Sequence, residues 1–382
     1  MTLGTLWYSA RLRGWATQIA LLGGLVALTL WIGGNTAHNL AERGIRTGLE
    51  FLSRPARFPI SESIVRYDPS DSFFWAYIVG IANTLWISFL TILAATTLGL
   101  GVGLARRSVH PLLSRIAMVF VTVMRNVPLI VQLLFWYGIA TSVFPPPRDA
   151  FSPIPGVFLS LRGVYAPSLV AGPGTFVFLI GCFAALIATV LVTRRALRGG
   201  ARKRVFLPLT LGGFALASAA LHLALGRPIG LELPELAGLN YRGGTHLSPE
   251  FAAIIFGLSL YTSAFIGEII RGGIEAVGKG QWEGGRALGL SERHIMFHII
   301  LPQALRVIIP PMTSQYLSTV KNTTLAVAVG YPELGLVVNT VINQTGQALE
   351  SILIMLGVYL SISLSVSLFM NCYNARVALV ER

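Results

Sequence analysis

Charge is what this sequence has least of. Only 12% of its 382 residues are Asp, Glu, Lys or Arg, about half the share of a soluble domain. Acids are the scarcer sign, at 16 against 29 bases. Cysteine is almost absent: Cys182 and Cys372 lie far apart, each inside an apolar stretch, which leaves neither a disulfide framework nor a paired-cysteine metal site. His294 and His298 have the four-residue spacing that metal sites use, but no Glu follows His294 directly, so the pair reads as structural. No fixed-period repeat, soluble catalytic domain or catalytic constellation is present, which argues against a solenoid and against a membrane-embedded enzyme.

Apolar residues fill the gap. They make up 54% of the chain and give a mean hydropathy of +0.68, a balance that belongs in a bilayer. A helix crossing the hydrocarbon needs about 20 mostly apolar residues. Eight stretches qualify: 15–34, 75–104, 115–143, 172–193, 205–225, 251–272, 303–330 and 351–373. The third contains Arg125, and the seventh Arg306 and Lys321. Trp15, Trp31, Trp75 and Trp136 fall near span ends, as interfacial anchors do.

Loop charge sets the orientation. Residues 1–14 carry Arg11 and Arg13, 105–114 carry Arg106 and Arg107, and 194–204 carry Arg194, Arg195, Arg198, Arg202, Lys203 and Arg204; none of the three holds an acid. The alternate loops are balanced or acidic, with Glu333 and Glu350 the only charges in 331–350. The positive-inside rule therefore places both termini in the cytoplasm. The net charge of +13 then faces anionic headgroups, and without interleaved aromatics it does not describe a nucleic-acid surface. Residues 15–32 behind Arg11 and Arg13 also allow a signal peptide, with Asn35-Thr36-Ala37 as a weak cleavage site. Cleavage would leave the other seven spans in the same orientation.

Proline punctuates 35–74 and 144–171, and both stretches read as external connections rather than folded domains. The informative connection is 271–302, amphipathic and cytoplasmic. It contains Gly273 to Gly280, which follows a phosphate-binding loop until its last position, where Ser or Thr should bind magnesium, and it lacks a preceding strand. ATP binding by this chain is rejected on that ground. Further on, Glu283-Gly284-Gly285-Arg286-Ala287-Leu288-Gly289 is followed after nine residues by Ile299-Ile300-Leu301-Pro302.

That spacing resembles the EAA loop of the membrane subunits of binding-protein-dependent ATP-binding-cassette importers, in which a short helix fits a groove on the ATPase. Gly284 and Gly285 depart from the usual alanines and cost about 1 kcal/mol each in a helix, so the helix is either looser or packs closer to its socket. Glu275-Ala276-Val277 imitates the triplet, but Gln281 stands where its glycine should be. The resemblance extends to Asn83-Thr84-Leu85, to Arg125-Asn126-Val127-Pro128-Leu129 with Gln132, to Tyr261–Phe265 with Glu268 and Arg271, to Pro302–Arg306 with Pro310 and Pro311, and to Lys321-Asn322-Thr323-Thr324-Leu325. These motifs cover about half the chain and look like the polar amino acid uptake branch.

The resemblance implies an all-α, polytopic type I permease with five core helices plus three extra. It implies a front segment at 1–74, core at 75–143 and 251–376, and an insertion at 144–250. The larger form is similar to general L-amino acid permeases that accept glutamate, glutamine, aspartate and asparagine. The expected machine is an inner-membrane importer with two permeases, two cytoplasmic ATPase copies that hold the ATP and magnesium, and a periplasmic binding protein. The second permease is either identical or a paralogue, and the extra helices favour a related partner. No cofactor is expected on this chain. The coupling loop is expected at Glu283, Gly284, Gly285, Ala287, Gly289, Ile299, Leu301 and Pro302.

Ionisable groups inside spans are costly and single out candidates for a substrate path. Arg125 and Asn126 precede Pro128, which frees carbonyls that either can satisfy, or Arg125 meets a substrate carboxylate. Glu268 and Arg271 are three apart and read as a gate or core ion pair ahead of substrate contact. Lys321, Asn322 and Thr323 form a polar patch suited to lining an aqueous path or bonding a neighbouring helix. Gly99, Gly101 and Gly103, with glycines 23, 24, 33 and 34, read as small-residue packing. The reading from another class is an ion-coupled secondary transporter, in which these charges bind the coupling ion; no internal symmetry supports it, and an EAA-like loop has no task there.

Overall fold

A computed structural model describes residues 10–42, 48–198 and 203–377; the expectations resting on residues 1–9 and on Arg202 lie outside them. The long helices are α1 (Ala10–Glu42), α2 (Phe73–Arg106), α3 (Pro111–Asn126), α4 (Leu129–Ser142), α5 (Thr175–Arg198), α6 (Lys203–Ala224) and α7 (Pro249–Glu275). After the coupling region come α8 (Lys279–Ala287), α9 (Glu292–Ile295), α10 (Leu301–Asn322), α11 (Leu334–Thr345) and α12 (Ala348–Val377). Among the described residues six helices are long and apolar enough to cross a membrane, or seven if α3 and α4, bent by 105°, count as one broken span. The expected fifth span holds a shorter apolar helix, Pro208–Ala224. No residue in the apolar windows of α1 and α5 is fully buried, although α5 meets α6 at Phe178 and His222; such outward apolar faces suit helices surrounded by lipid.

By packing the chain forms two units, Met1–Leu133 with Ile254–Arg382, and Leu134–Ala253. In the first, residues 50–72 do not behave as the free connection that their prolines imply. Phe51, Ala56 and Phe58 are buried against Phe73 and Tyr77 of α2 and Val337, Val338 and Val341 of α11. The Ala56 N–H donates to Asp71 O at 2.7 Å and the Phe73 N–H to Arg54 O at 2.9 Å, so the arm is laced to the entry of α2. Two buried phenylalanines at about 2–3 kcal/mol each outweigh the polar tilt of the segment. Ser72 caps α2, accepting from the Trp75 N–H at 3.2 Å.

A second cluster joins Ala95 of α2 and Ile266, Ile270 and Ile274 of α7 to Ile295, Ile300, Ala304 and Ile308. Two glycines permit the approach of α2 to α7. A Cβ on Gly99 would lie 2.5 Å from Ile266 Cγ2, and one on Gly103 would lie 2.7 Å from Gly267 O. Gly101 faces open space, as do glycines 23, 24, 33 and 34, so among the described residues of this chain no helix packs against those five.

The second unit corrects the reading of 144–171 as a connection. Its strands are β1 (Phe151–Ile154), β2 (Val157–Ser160), β3 (Gly163–Ala166), β4 (Ser168–Ala171), β5 (Ile229–Glu232), β6 (Glu235–Ala237), β7 (Asn240–Arg242) and β8 (Thr245–Leu247). They form an antiparallel sheet in the order β1-β2-β3-β8 and two ladders, β4-β5 and β6-β7. The prolines sit where a sheet tolerates them: Pro153 on the edge strand β1, Pro155 at the β1–β2 turn and Pro167 between β3 and β4. Phe158, Tyr241, Tyr165 and His246 stack with centroids 4.5, 5.1 and 4.6 Å apart in turn, and the buried Tyr165 hydroxyl donates to Asn240 Oδ1 at 2.7 Å. The fold is mostly helical with this small β addition.

Candidate functional site

The loop singled out by spacing becomes the short helix α8 with a defined stop. Gly289 has φ +69; its N–H donates to Arg286 O at 2.9 Å, and the Leu290 N–H donates to Gly285 O at 3.1 Å. These two bonds and the left-handed glycine make a Schellman motif. Ser291 then starts α9, accepting from the His294 N–H at 3.3 Å. Arg286 grips Glu292 through Nε and Nη2, donating to Oε1 at 2.6 Å and Oε2 at 3.3 Å, bridging α8 to α9 across the turn.

The two glycines separate in role. Gly284 is open on all sides, whereas a Cβ on the buried Gly285 would lie 2.8 Å from Ile295 Cγ1. The closer packing at Gly285 is therefore internal, against α9. Trp282 and Leu290 pack on the Ile295 cluster, and the Arg107 guanidinium lies 5.8 Å from the Trp282 ring centroid. Glu283, Ala287 and Leu288 are left outward, Leu288 with 78% of its surface exposed. Ile299 is half-buried and its carbonyl accepts from Gln303 Nε2 at 2.8 Å; Leu301 and Pro302 open α10. His294 and His298 stack at 4.0 Å, and among the described residues no group of three or more His, Cys, Asp or Glu is placed to hold a metal.

Of the charged candidates, Glu268 and Arg271 do pair, the Arg271 Nε donating to Glu268 Oε1 at 3.0 Å. The pair belongs to a larger clasp: Arg106 at the end of α2 also holds Glu268, and Arg271 also holds Glu275. Arg125 lies over the Phe265 ring, 5.0 Å from its centroid, and so approaches the face of α7 that carries Glu268 one turn on. Lys321 is exposed, and the Thr323 and Thr324 hydroxyls turn back to Val320 O and Lys321 O at 2.7 and 2.8 Å. Asn126 is exposed.

The bend at Pro128 is satisfied by a residue outside the candidate set. Pro128 has no N–H for Met124 O, and Gln132 Nε2 donates to Met124 O and to Val127 O, both at 2.9 Å. Neither Arg125 nor Asn126 takes that place.

Residues 179–379 match the family of binding-protein-dependent transport system inner membrane components. The chain belongs to that family. It is 43% identical to the putative amino-acid ABC transporter permease protein YhdX of Escherichia coli, over 97% of this chain and 95% of that protein. It is 37% identical to the general L-amino acid transport system permease protein AapQ of Rhizobium johnstonii, over 98% and 94%. With the glutamate/glutamine/aspartate/asparagine transport system permease protein BztB of Rhodobacter capsulatus it shares 34% identity, over 100% and 97%. The chain is thus a multi-pass inner-membrane permease component of a binding-protein-dependent amino-acid transport system.

At the far end of α2 this permease has a buried polar node that sequence reasoning missed. Glu333 is fully buried at the start of α11, where its Oε1 accepts from the Leu336 N–H at 3.0 Å. Its Oε2 accepts from the Tyr359 hydroxyl at 3.2 Å and from the Thr84 hydroxyl at 3.4 Å. Thr84 Oγ1 accepts in turn from the Leu334 N–H at 3.1 Å, and Asn83 Nδ2 donates to Glu62 O and Pro332 O, both at 2.8 Å. Burial pushes the Glu333 carboxyl above its usual range, against the donors around it. The signal was the match of Asn83-Thr84 with Pro332-Glu333, far apart in sequence and invisible to loop-charge counting.

Proposed function

We propose that this permease imports polar L-amino acids, with glutamate, glutamine, aspartate and asparagine as the substrate class, driven by ATP hydrolysis on a separate subunit. The reading joins the substrates named for its relatives to the geometry of 279–302. The observation that carries it is α8: a nine-residue helix capped by a glycine stop, packed on one face, with Glu283, Ala287 and Leu288 free on the other. A short rigid protrusion of this kind converts closure of an ATPase pair into movement of the helices joined to it. Movement of α8 would reach α2 through Trp282 and Arg107, and α10 directly through Ile299, Leu301 and Pro302.

In this reading both termini and α8 lie in the cytoplasm, two ATPase copies carry the ATP and magnesium, and a periplasmic binding protein delivers the ligand. The second permease is a paralogue. Arg125 and Glu268, brought to one face of α7, are the substrate-path residues the geometry favours, and Lys321, Asn322 and Thr323 form a separate patch. The test is purification from native membranes in mild detergent, beside a variant with 281–301 replaced. A cassette ATPase and a second permease should accompany the wild type, with the ATPase lost from the variant. A chain that stays alone and transports in vesicles without ATP would establish the secondary-transporter reading instead.

A further inference from the structure

Between the arm before α2 and the end of α11 lies a cavity of about 760 Å³, within the size range of small-molecule sites. Its charge is one-sided. Arg54 and Arg57 line it together with Gln344, Thr345 and Gln347, and no carboxylate is among its lining residues. Arg106, Arg271 and Arg286 are each held by a carboxylate; among the described residues neither Arg54 nor Arg57 is in an ion pair. Arg57 also occupies the left-handed region, φ 58, where a side chain other than glycine is uncommon and strained. Its N–H is tied to Pro69 O at 2.8 Å, so the backbone is fixed in that form.

The third observation is Gln347. It is 7% exposed, and its Oε1 has no hydrogen-bond partner, a state that buried polar groups avoid. Rotation of a terminal amide about its last torsion is broad and roughly two-fold, so a half-turn presents the carbonyl to an N–H donor in the cavity. Two exposed guanidiniums with no carboxylate beside them and a buried lining amide whose oxygen can be turned toward the cavity match a ligand with one or two carboxylates and an ammonium group. The walls are preformed, because Phe51, Ala56, Phe73 and α11 belong to one buried cluster.

We propose that this cavity is an outer-face binding site for the free acidic or amide amino acid. Arg54 and Arg57 hold the carboxylates and Gln347 Oε1 accepts from the ammonium. The proposal rests on the amino-acid reading above and adds a site on this chain, at the opposite end of α2 from the Arg106–Glu268 clasp.

The test uses the intact transporter in lipid nanodiscs, with Cys182 and Cys372 replaced by Ala and a reporter introduced as Gln344→Cys. Maleimide labelling is followed with L-glutamate, L-glutamine or L-lysine present and binding protein absent, and in a separate arm with ligand-free binding protein alone. L-Glutamate should slow labelling in a saturable manner, by about tenfold when about 90% of the sites are occupied, and L-lysine should protect far less. Arg57→Gly, which relaxes the backbone while removing the guanidinium, and Gln347→Leu should each abolish protection with elution unchanged, Arg57→Gly unfolding at the same temperature as the wild type or higher. Unchanged labelling at every L-glutamate concentration overturns the proposal, as does protection by the binding protein alone, which would assign the arginines to a protein contact. Amino-acid uptake by the wild type in cells separates the two levels: uptake without protection removes only the cavity site, and no uptake of any amino acid removes the functional reading itself.

Discussion

The contact of α2 with α7 gives the sharpest stability prediction, because it contains its own control. Gly101 and Gly103 sit on one helix two residues apart, and Ala at either changes backbone propensity by the same amount, a gain of about 1 kcal/mol. A Cβ at 101 meets nothing within 4 Å. At 103 it would lie 2.7 Å from Gly267 O and 3.1 Å from Ile270 Cβ, where a carbon and a carbonyl oxygen normally stand about 3.3–3.6 Å apart. The oxygen belongs to a helix backbone and cannot swing aside, so the helices must part by roughly half an ångström, an overpacking cost of about 1–3 kcal/mol. Propensity cancels in the comparison, leaving Gly103→Ala less stable than Gly101→Ala by about 1–3 kcal/mol. The assay is thermal unfolding of the purified complex in one detergent, followed by near-ultraviolet circular dichroism, with uptake measured in parallel. Gly103→Ala should also lower uptake, since separating the helices pulls Arg106 from Glu268. Equal stability of the two variants would refute the close crossing on which this reasoning depends.

Glu333→Gln should change the pH profile of stability rather than its peak. The buried carboxyl keeps its proton to a higher pH than its ordinary 4.5, so the unfolded chain loses that proton first and stability falls as pH rises above that value. Glutamine keeps one carbonyl oxygen to accept from the Leu336 N–H, turns its NH2 toward the Tyr359 and Thr84 hydroxyl oxygens, which can accept, and has no proton to lose, so its unfolding temperature should decline less between mildly acidic and neutral pH; parallel profiles would contradict the burial argument. Gln132→Leu strips Met124 O and Val127 O of their donor at the α3–α4 bend and should cost about 1–2 kcal/mol, read as a lower unfolding temperature in detergent. Glu283→Lys and Gly289→Asp should abolish uptake while membrane insertion and elution stay normal, and transport at the wild-type rate by either would remove α8 from the coupling role.

Local spacing made the coupling helix legible, because a glycine stop and the position of Ile299–Pro302 are properties of consecutive residues. The Gly99–Gly103 contact was half legible for a related reason. Residues four apart share a helix face, whereas Gly101 is turned about 200° from either neighbour, so a count of three glycines was one too many. The proline-rich segments were misread because proline was scored as a breaker without asking which side of a strand it occupies. An edge strand such as β1 needs no N–H at Pro153, and the alternation around Phe158 and Tyr165 was enough to build a sheet.

The residues that sequence reasoning missed share one property: each answers a demand made elsewhere in the chain. Pro128 removes the N–H that Met124 O would have received, and that demand is local enough that a glutamine four residues on could have been nominated to meet it. Glu333 differs in kind. Its partners Thr84 and Tyr359 come from two other helices, and a carboxyl in a loop is ordinarily solvated, so nothing within 331–350 marks it as buried. What marks it is the pairing of two polar segments that a hydrophobic protein can bury only together, since Asn83 and Thr84 are themselves fully buried within α2 and would each cost free energy without Pro332, Glu333 and Leu334 to bond. In a chain this poor in charge, every buried polar group asks for a partner. The same reasoning directs attention to Gln347, whose buried Oε1 has no partner among the described residues, beside the exposed guanidiniums of Arg54 and Arg57.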